Sequence, residues 1–272
     1  MSRKRIFAPV AAILILCLFL AGCAMMDTVT SNLFVVTPEQ ETTLGKQFSA
    51  QIEQQVKIYD KDPAATAYIN SLGQRLVKAA QPCEQKFVFQ IVDNEEVNAF
   101  AVPGGYCYVQ VGLIRMAKSE AELASVMAHE IGHVTARHGA KDLSRNKAYD
   151  LAGQMALGEN SGALAQTAAS IVKSGVLLKH SRVDEFEADS LAVKTLARAG
   201  LNPKGMVTFF QKMDPSAKSG QSSSFATLLS THPPTGERIA AVSKTIQSLG
   251  AKGPWRDSSP EFQSLKQRFP SK

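Results

Sequence analysis

Residues 119–138 read Ser-Glu-Ala-Glu-Leu-Ala-Ser-Val-Met-Ala-His-Glu-Ile-Gly-His-Val-Thr-Ala-Arg-His. The stretch has helical periodicity from end to end. Ser119 followed three residues later by Glu122 is the capping-box pattern that starts a helix. Residues i and i+4 share one helix face, so His129 and His133 aim two imidazoles at one point, with Glu130 beside them. This HExxH spacing suits a metal ion held by two histidines, with a carboxylate placed to take a proton from a water. Leu123, Val126, Met127, Ile131 and Val134 surround the histidines with apolar side chains, which points them inward. Gly132 weakens the helix by about 1 kcal/mol relative to alanine, so another element is expected to pack closely there.

HExxH also arises by chance on helices that bind nothing, and the rest of the chain has to supply more. A catalytic zinc takes three protein ligands and leaves one position open. About fifty residues downstream, Arg182 to Asp189 begins a second helix in which Glu185 and Asp189 stand at i and i+4. Glu185 is the candidate third ligand. Asp189 is the candidate acceptor for the free ring N–H of a ligand histidine, which would fix its tautomer. The competing reading is a charged helix N-terminus favoured by the macrodipole, and the upstream HExxH decides against it. One zinc ion per chain, in a metal-dependent peptidase, is the expectation.

The runs His129-Glu130-Ile131-Gly132-His133-Val134-Thr135-Ala136-Arg137-His138 and Glu185-Phe186-Glu187-Ala188-Asp189 resemble the gluzincin zinc peptidases that include the CaaX prenyl protease, heat-shock protein X and the periplasmic β-barrel-assembly-enhancing protease. Asn98-Ala99-Phe100-Ala101-Val102-Pro103-Gly104-Gly105 and Thr231-His232-Pro233-Pro234 with Arg238 carry the same resemblance, which spans residues 38–249. It implies a zincin-like fold, zinc ligands His129, His133 and Glu185, and Glu130 as the base. It also places His232 and Arg238 near the metal, as candidate donors to the oxyanion, with His232 alternatively a fourth ligand in the substrate-free state. Asn98, Ala99, Phe100 and Ala101 read as an edge strand that a peptide substrate could extend. His138, about 140° round a continuous helix from His133, reads as structural. His180 shows no partner and reads as a surface or packing residue.

Strand alternation at residues 86–92 and 106–111, a short extended run at 97–102, and helical stretches at 38–56, 64–80, 183–199, 203–213 and 235–249 give the fold class. It is α+β, mostly helical, with one small three-stranded sheet. Residues 152–178, rich in alanine, serine and glycine, read as helix and loop over the site, and 218–224 as a polar loop. The catalytic domain is expected over residues 38–250, followed by a polar tail at 251–272 with at most one short helix.

The N-terminus sets the compartment. Arg3, Lys4 and Arg5 precede an apolar run from Ile6 to Leu20, shorter than the ~20 residues a membrane span needs. Leu20-Ala21-Gly22-Cys23 then resembles a bacterial lipobox. The expectation is a signal peptide at residues 1–22, lipid on Cys23 and a tether at 23–37. In the lipoproteins it resembles, aspartate at position 24 favours the inner membrane, so the alanine here leans towards the outer membrane, periplasmic face, with inner-membrane anchoring the alternative. Three of the 30 basic residues and none of the 24 acids lie before Cys23, which lowers the net charge from +6 to +3. That balance, with no basic stripe, excludes nucleic acid as the expected partner. The expected partners are protein or peptide substrates and the membrane. Cys83 and Cys107, in an oxidising compartment, are expected to form a disulfide worth about 3 kcal/mol. The runner-up function is an outer-membrane assembly chaperone or adaptor on a peptidase fold. The intact Glu130 speaks against it, because an adaptor needs no base beside a metal. The helical-repeat array of the β-barrel-assembly relative is not expected, nor the partner binding that goes with it.

Overall fold

The computed structural model describes residues 36–146, 180–213, 225–250 and 253–271. The signal peptide, Cys23, nearly all of the tether, residues 152–178 and the 218–224 loop lie outside these. Among the described residues no helix is long and apolar enough to cross a membrane.

The chain opens with α1 (Pro38–Glu53) and α2 (Pro63–Ala79), each starting at a proline behind a side-chain cap, Thr37 and Asp62 respectively. Three short strands follow, β1 (Val88–Val92), β2 (Ala99–Val102) and β3 (Tyr106–Gln110). Their order is β1-β3-β2: β1 runs parallel to β3, and β2 runs antiparallel to it. The β2–β3 turn needs Gly104 and Gly105, which sit at φ +86° and +91°, where a side chain would be strained. Next come α3 (Val111–Met116), α4 (Glu120–Thr135), α5 (His138–Asn146), α6 (Arg182–Arg198), α7 (Lys204–Met213), α8 (Ala226–Thr231), α9 (Gly236–Ser248) and α10 (Pro260–Arg268).

α4 is the axis of the domain. Every one of its 16 residues is buried, as expected of a helix enclosed on all sides. α2 and the sheet pack on one flank and α6 and α7 on the others, with α9 packed against α6 and α7. The close approach expected at Gly132 is made by α6: a Cβ there would lie 3.1 Å from Ala188 O and 3.3 Å from Ala188 Cα. The missing side chain lets α4 and α6 touch backbone to backbone. Ser119 caps α4 by accepting from Glu122 N. Behind it Glu120 pairs with Arg75 at 2.8 Å, and Glu122 pairs with Lys212.

Three expectations change. The central helix does not run through His138. It ends at Thr135, and Arg137 adopts φ +58° before α5 begins. The strained turn is secured by Arg137 Nε donating to the buried Glu41 carboxylate at 2.7 Å. The C-terminal segment is not a tail: Arg256 bridges Leu201, and Phe262, Leu265 and Phe269 of the α10 region are buried in the main core. Each large apolar side chain so buried is worth about 1.5–3 kcal/mol, enough to make the segment part of the domain. Finally, Cys83 and Cys107 are both free thiols. Cys107 lies in β3, which pairs in parallel with β1, and the residue of β1 opposite Cys107 is Phe89, six positions past Cys83. Cys107 is buried in the central strand, where burial first and Glu130 second push its thiol pKa well up.

Candidate metal centre

α4 presents His129, Glu130 and His133 to a buried space that α6 closes from the opposite side. α6 is held in place by a reciprocal cap. Ser181 Oγ accepts from Asp184 N, and the Asp184 carboxylate accepts from Ser181 N. This puts Glu185 in the first turn, facing α4, and Asp189 one turn further in.

The donor atoms converge. His129 Nε2 and His133 Nε2 lie 2.9 Å apart. Glu185 Oε1 is 3.3 Å from His133 Nε2, and Glu185 Oε2 is 3.5 Å from His129 Nε2. Zinc bonds of 2.0–2.2 Å in tetrahedral geometry imply ligand–ligand separations of about 3.4 Å. His232, from the end of α8, joins the cluster, with Nδ1 2.9 Å from Glu185 Oε1 and 3.3 Å from His129 Nε2. His129, His133, Glu185 and His232 together form a buried group able to hold one metal ion.

The charges around this point call for a dication. Glu130, Glu185 and Asp189 are all buried, and among the described residues one buried arginine or lysine, Arg238, faces them. Arg238 matches one of these three negative charges, and charge left unmatched in an interior costs several kcal/mol per ion. The histidine ionisation shows the same demand. Burial disfavours a charged His129, yet Asp189 and Glu185 outweigh it and push its pKa up to about 10. Burial, His180 and His129 hold His133 well below the usual imidazole value, keeping it the neutral form a metal ligand needs. Burial opposes ionisation of Glu185, but His232, His129 and His133 hold it far below the usual carboxylate range. Two imidazoles, one carboxylate and a further imidazole are a nitrogen–oxygen donor set suited to zinc.

The outer contacts are specific. Asp189 Oδ1 lies 2.9 Å from His129 Nδ1, a carboxylate–imidazole contact of the kind that orients metal-binding histidines. Arg238 grips Asp189 with two parallel bonds, Nε to Oδ2 and Nη2 to Oδ1, both 2.7 Å. Its Nη1 reaches Glu185 Oε2 at 2.8 Å and Pro233 O at 3.1 Å. Each of its three nitrogens thus already serves a protein acceptor. The guanidinium that the resemblance offers to an oxyanion is therefore committed to Asp189, Glu185 and Pro233 in this structure.

Glu130 is anchored by one oxygen only. β2 is an edge strand, and Ala101 N–H, on the edge away from β3, donates to Glu130 Oε2 at 3.2 Å. Glu130 Oε1 is buried and accepts no hydrogen bond among the described residues. Asn98 O instead faces β3, accepting from Gln110 N at 3.0 Å, and Phe100 stacks on Tyr108 with ring centroids 4.9 Å apart. Of the expected substrate strand, Ala101 therefore touches the site directly, whereas Asn98 and Phe100 tie β2 to the sheet.

Two histidines outside the expected set come to the centre. His138 is fully buried, with Nδ1 2.9 Å from His133 Nδ1. His180 is not partnerless: its ring stacks on His133 at 3.9 Å and its Nδ1 pairs with Asp142 Oδ2 at 2.8 Å. Straight-helix arithmetic sends His138 away from His133, so only the Arg137 turn, invisible in a non-glycine sequence, could have announced it.

Comparison with known proteins agrees with this geometry. A model of peptidase family M48 matches residues 63–246, about two thirds of the chain. The chain is similar to the beta-barrel assembly-enhancing protease of Escherichia coli O157:H7, 37% identical over 212 residues, covering 74% of this chain and 42% of that protein. It is similar to the mitochondrial metalloendopeptidase OMA1 of Schizosaccharomyces pombe, 29% identical over 75% of this chain and 60% of that one. It also resembles the metalloprotease YcaL of Escherichia coli K12, 28% identical over 65% of this chain and 70% of that one. The chain spans less than half the length of the beta-barrel relatives it matches. Because the matched region contains His129, His133, Glu185 and His232, and Arg238 beside them, this chain belongs to peptidase family M48.

Proposed function

We propose that the chain is a zinc-dependent endopeptidase of the bacterial periplasm that cleaves misfolded or envelope proteins. The observation that carries this reading is a base held by one oxygen beside three converging ligands. His129, His133 and Glu185 would hold the zinc, which when bound supplies a Lewis acid and lowers the pKa of a water towards 7. Ala101 N–H orients Glu130 so that Oε1 is free to take the proton of the attacking water and later to deliver it to the leaving amine. Asp189 keeps His129 in the ligating tautomer, and Arg238 stops Asp189 and Glu185 from repelling each other. The edge of β2 lies against Glu130, which supports strand addition as the way a substrate backbone enters. His232 stands where a fourth ligand would in the substrate-free state and would have to yield to substrate. Unfolded casein should be degraded by the zinc-loaded chain, degradation should stop with chelator, and added zinc should restore it. No degradation under any of these conditions would leave the adaptor reading in possession.

Anchoring by lipid at Cys23, at the periplasmic face of the outer membrane or else at the inner membrane, belongs to the same proposal. Its support is the basic start, the short apolar run and Leu20-Ala21-Gly22 before Cys23. Several acyl chains hold a protein to a bilayer almost permanently. Wild type should incorporate labelled palmitate and fractionate with membranes, and Cys23→Ser should take up no lipid and be either released or left unprocessed. A wild-type chain without lipid in the soluble periplasmic fraction would refute the anchor and leave the peptidase reading intact.

A further inference from the structure

The two ligand histidines are supported differently. His129 Nδ1 meets a carboxylate directly, at Asp189. His133 Nδ1 meets another imidazole, His138 Nδ1, at 2.9 Å. We infer that His138 is a positioning residue for the metal centre: it accepts the Nδ1–H of His133 and passes the constraint on to the N-terminal turns of α6.

The proton bookkeeping admits one arrangement. A neutral His133 that offers Nε2 to a metal carries its proton on Nδ1. Its partner there among the described residues has to accept, so His138 Nδ1 is bare and His138 Nε2 carries hydrogen. That N–H faces Glu187 Oε2 at 3.3 Å and Asp184 Oδ1 at 3.4 Å. Both acceptors can receive it, since the bonds from Ser181 N and Oγ go to the other Asp184 oxygen, Oδ2. Asp184 and Glu187 flank Glu185 on α6, so the chain from His133 through His138 ends beside the third ligand and ties the two ligand helices together. The arrangement also bears on a neighbouring possibility. His138, Asp184 and Glu187 are spaced to hold a metal of their own, but a hydrogen on His138 Nε2 removes the lone pair such a site would need. The Arg137 turn is what builds the relay, since a straight helix would carry His138 to the far side.

This inference rests on His133 being a zinc ligand, and its test separates the two. Zinc affinity of the full chain is measured by competition with a chromophoric chelator, alongside the melting temperature of the metal-free chain. His138→Leu, which cannot accept a hydrogen bond, should bind zinc about 10–100-fold more weakly, the usual cost of losing such an outer contact. His138→Asn, whose Oδ1 stands near the lost Nδ1, should recover most of that affinity at a similar metal-free melting temperature. Equal zinc affinity for His138→Leu and wild type, with His133→Ala losing zinc, would overturn the relay and spare the ligand assignment. Zinc retained by His133→Ala would sink the assignment itself. Should the variants fail to fold, two-bond nitrogen–proton spectra of the zinc-loaded wild type decide. Hydrogen on His138 Nε2 is expected, and hydrogen on His138 Nδ1 overturns the inference.

Discussion

Glu130→Gln is expected to keep a full complement of zinc and to lose peptide hydrolysis by roughly 10²–10⁴-fold, the range attributed to a positioned general base. Glu130 is not in the ligand cluster, so the metal has no direct stake in its charge. The substitution is also structurally mild. Ala101 N–H, which donates to Glu130 Oε2, requires the amide oxygen of glutamine on that side. The amide nitrogen then points into the site, where an acceptor is needed and none remains. Metal content and casein turnover of the same preparation give both halves of the result. Turnover near the wild-type rate would remove Glu130 from the chemistry. Retention of cellular function by a hydrolysis-dead variant would favour the adaptor.

Arg238→Met should cost the metal-free chain about 3–5 kcal/mol of unfolding free energy, the usual penalty for breaking a buried ion pair by removing one partner. Arg238 is 3% exposed and Asp189 1%, so solvent cannot take over the lost charge. Burial works against a charged Arg238, but Asp189, Glu185 and Glu130 raise its pKa further, so the guanidinium is held firmly in its charged form. Arg238→Lys should recover only part of the loss, because an ammonium cannot reproduce the paired bonds to both Asp189 oxygens. Urea unfolding of the metal-free chain reads the effect directly. A loss below about 1 kcal/mol, typical of an exposed pair, would show that the network does not stabilise the interior as described.

The parts of the site that follow local helical spacing were legible in the sequence. His129, Glu130 and His133 follow from one helix, Glu185 and Asp189 from another, and Gly132 marked where the two helices meet. The fold class followed for the same reason: apolar periodicity separates helices from strands. What was not legible depends on long-range geometry. The parallel pairing of β1 with β3 places Phe89 and not Cys83 opposite Cys107, and no spacing rule reveals which strand becomes central. The left-handed turn at Arg137, a residue that rarely adopts it, reverses the course of the chain and brings His138 to His133. Arg238 was placed near the metal by resemblance, but its commitment to Asp189 and Glu185 follows from side-chain geometry alone. The final helix looked too polar to belong to the domain, because Phe262, Leu265 and Phe269 are spaced three and four apart within a charged segment and bury a narrow stripe.

The most direct test of the account is anomalous diffraction at the zinc absorption edge from crystals of the zinc-loaded domain. One strong peak per chain is expected, within about 2.0–2.2 Å of His129 Nε2, His133 Nε2 and a Glu185 oxygen, with Glu130 outside bonding distance. A peak lacking Glu185, a peak centred instead on His138, Asp184 and Glu187, or no peak from a chain that hydrolyses casein would contradict it.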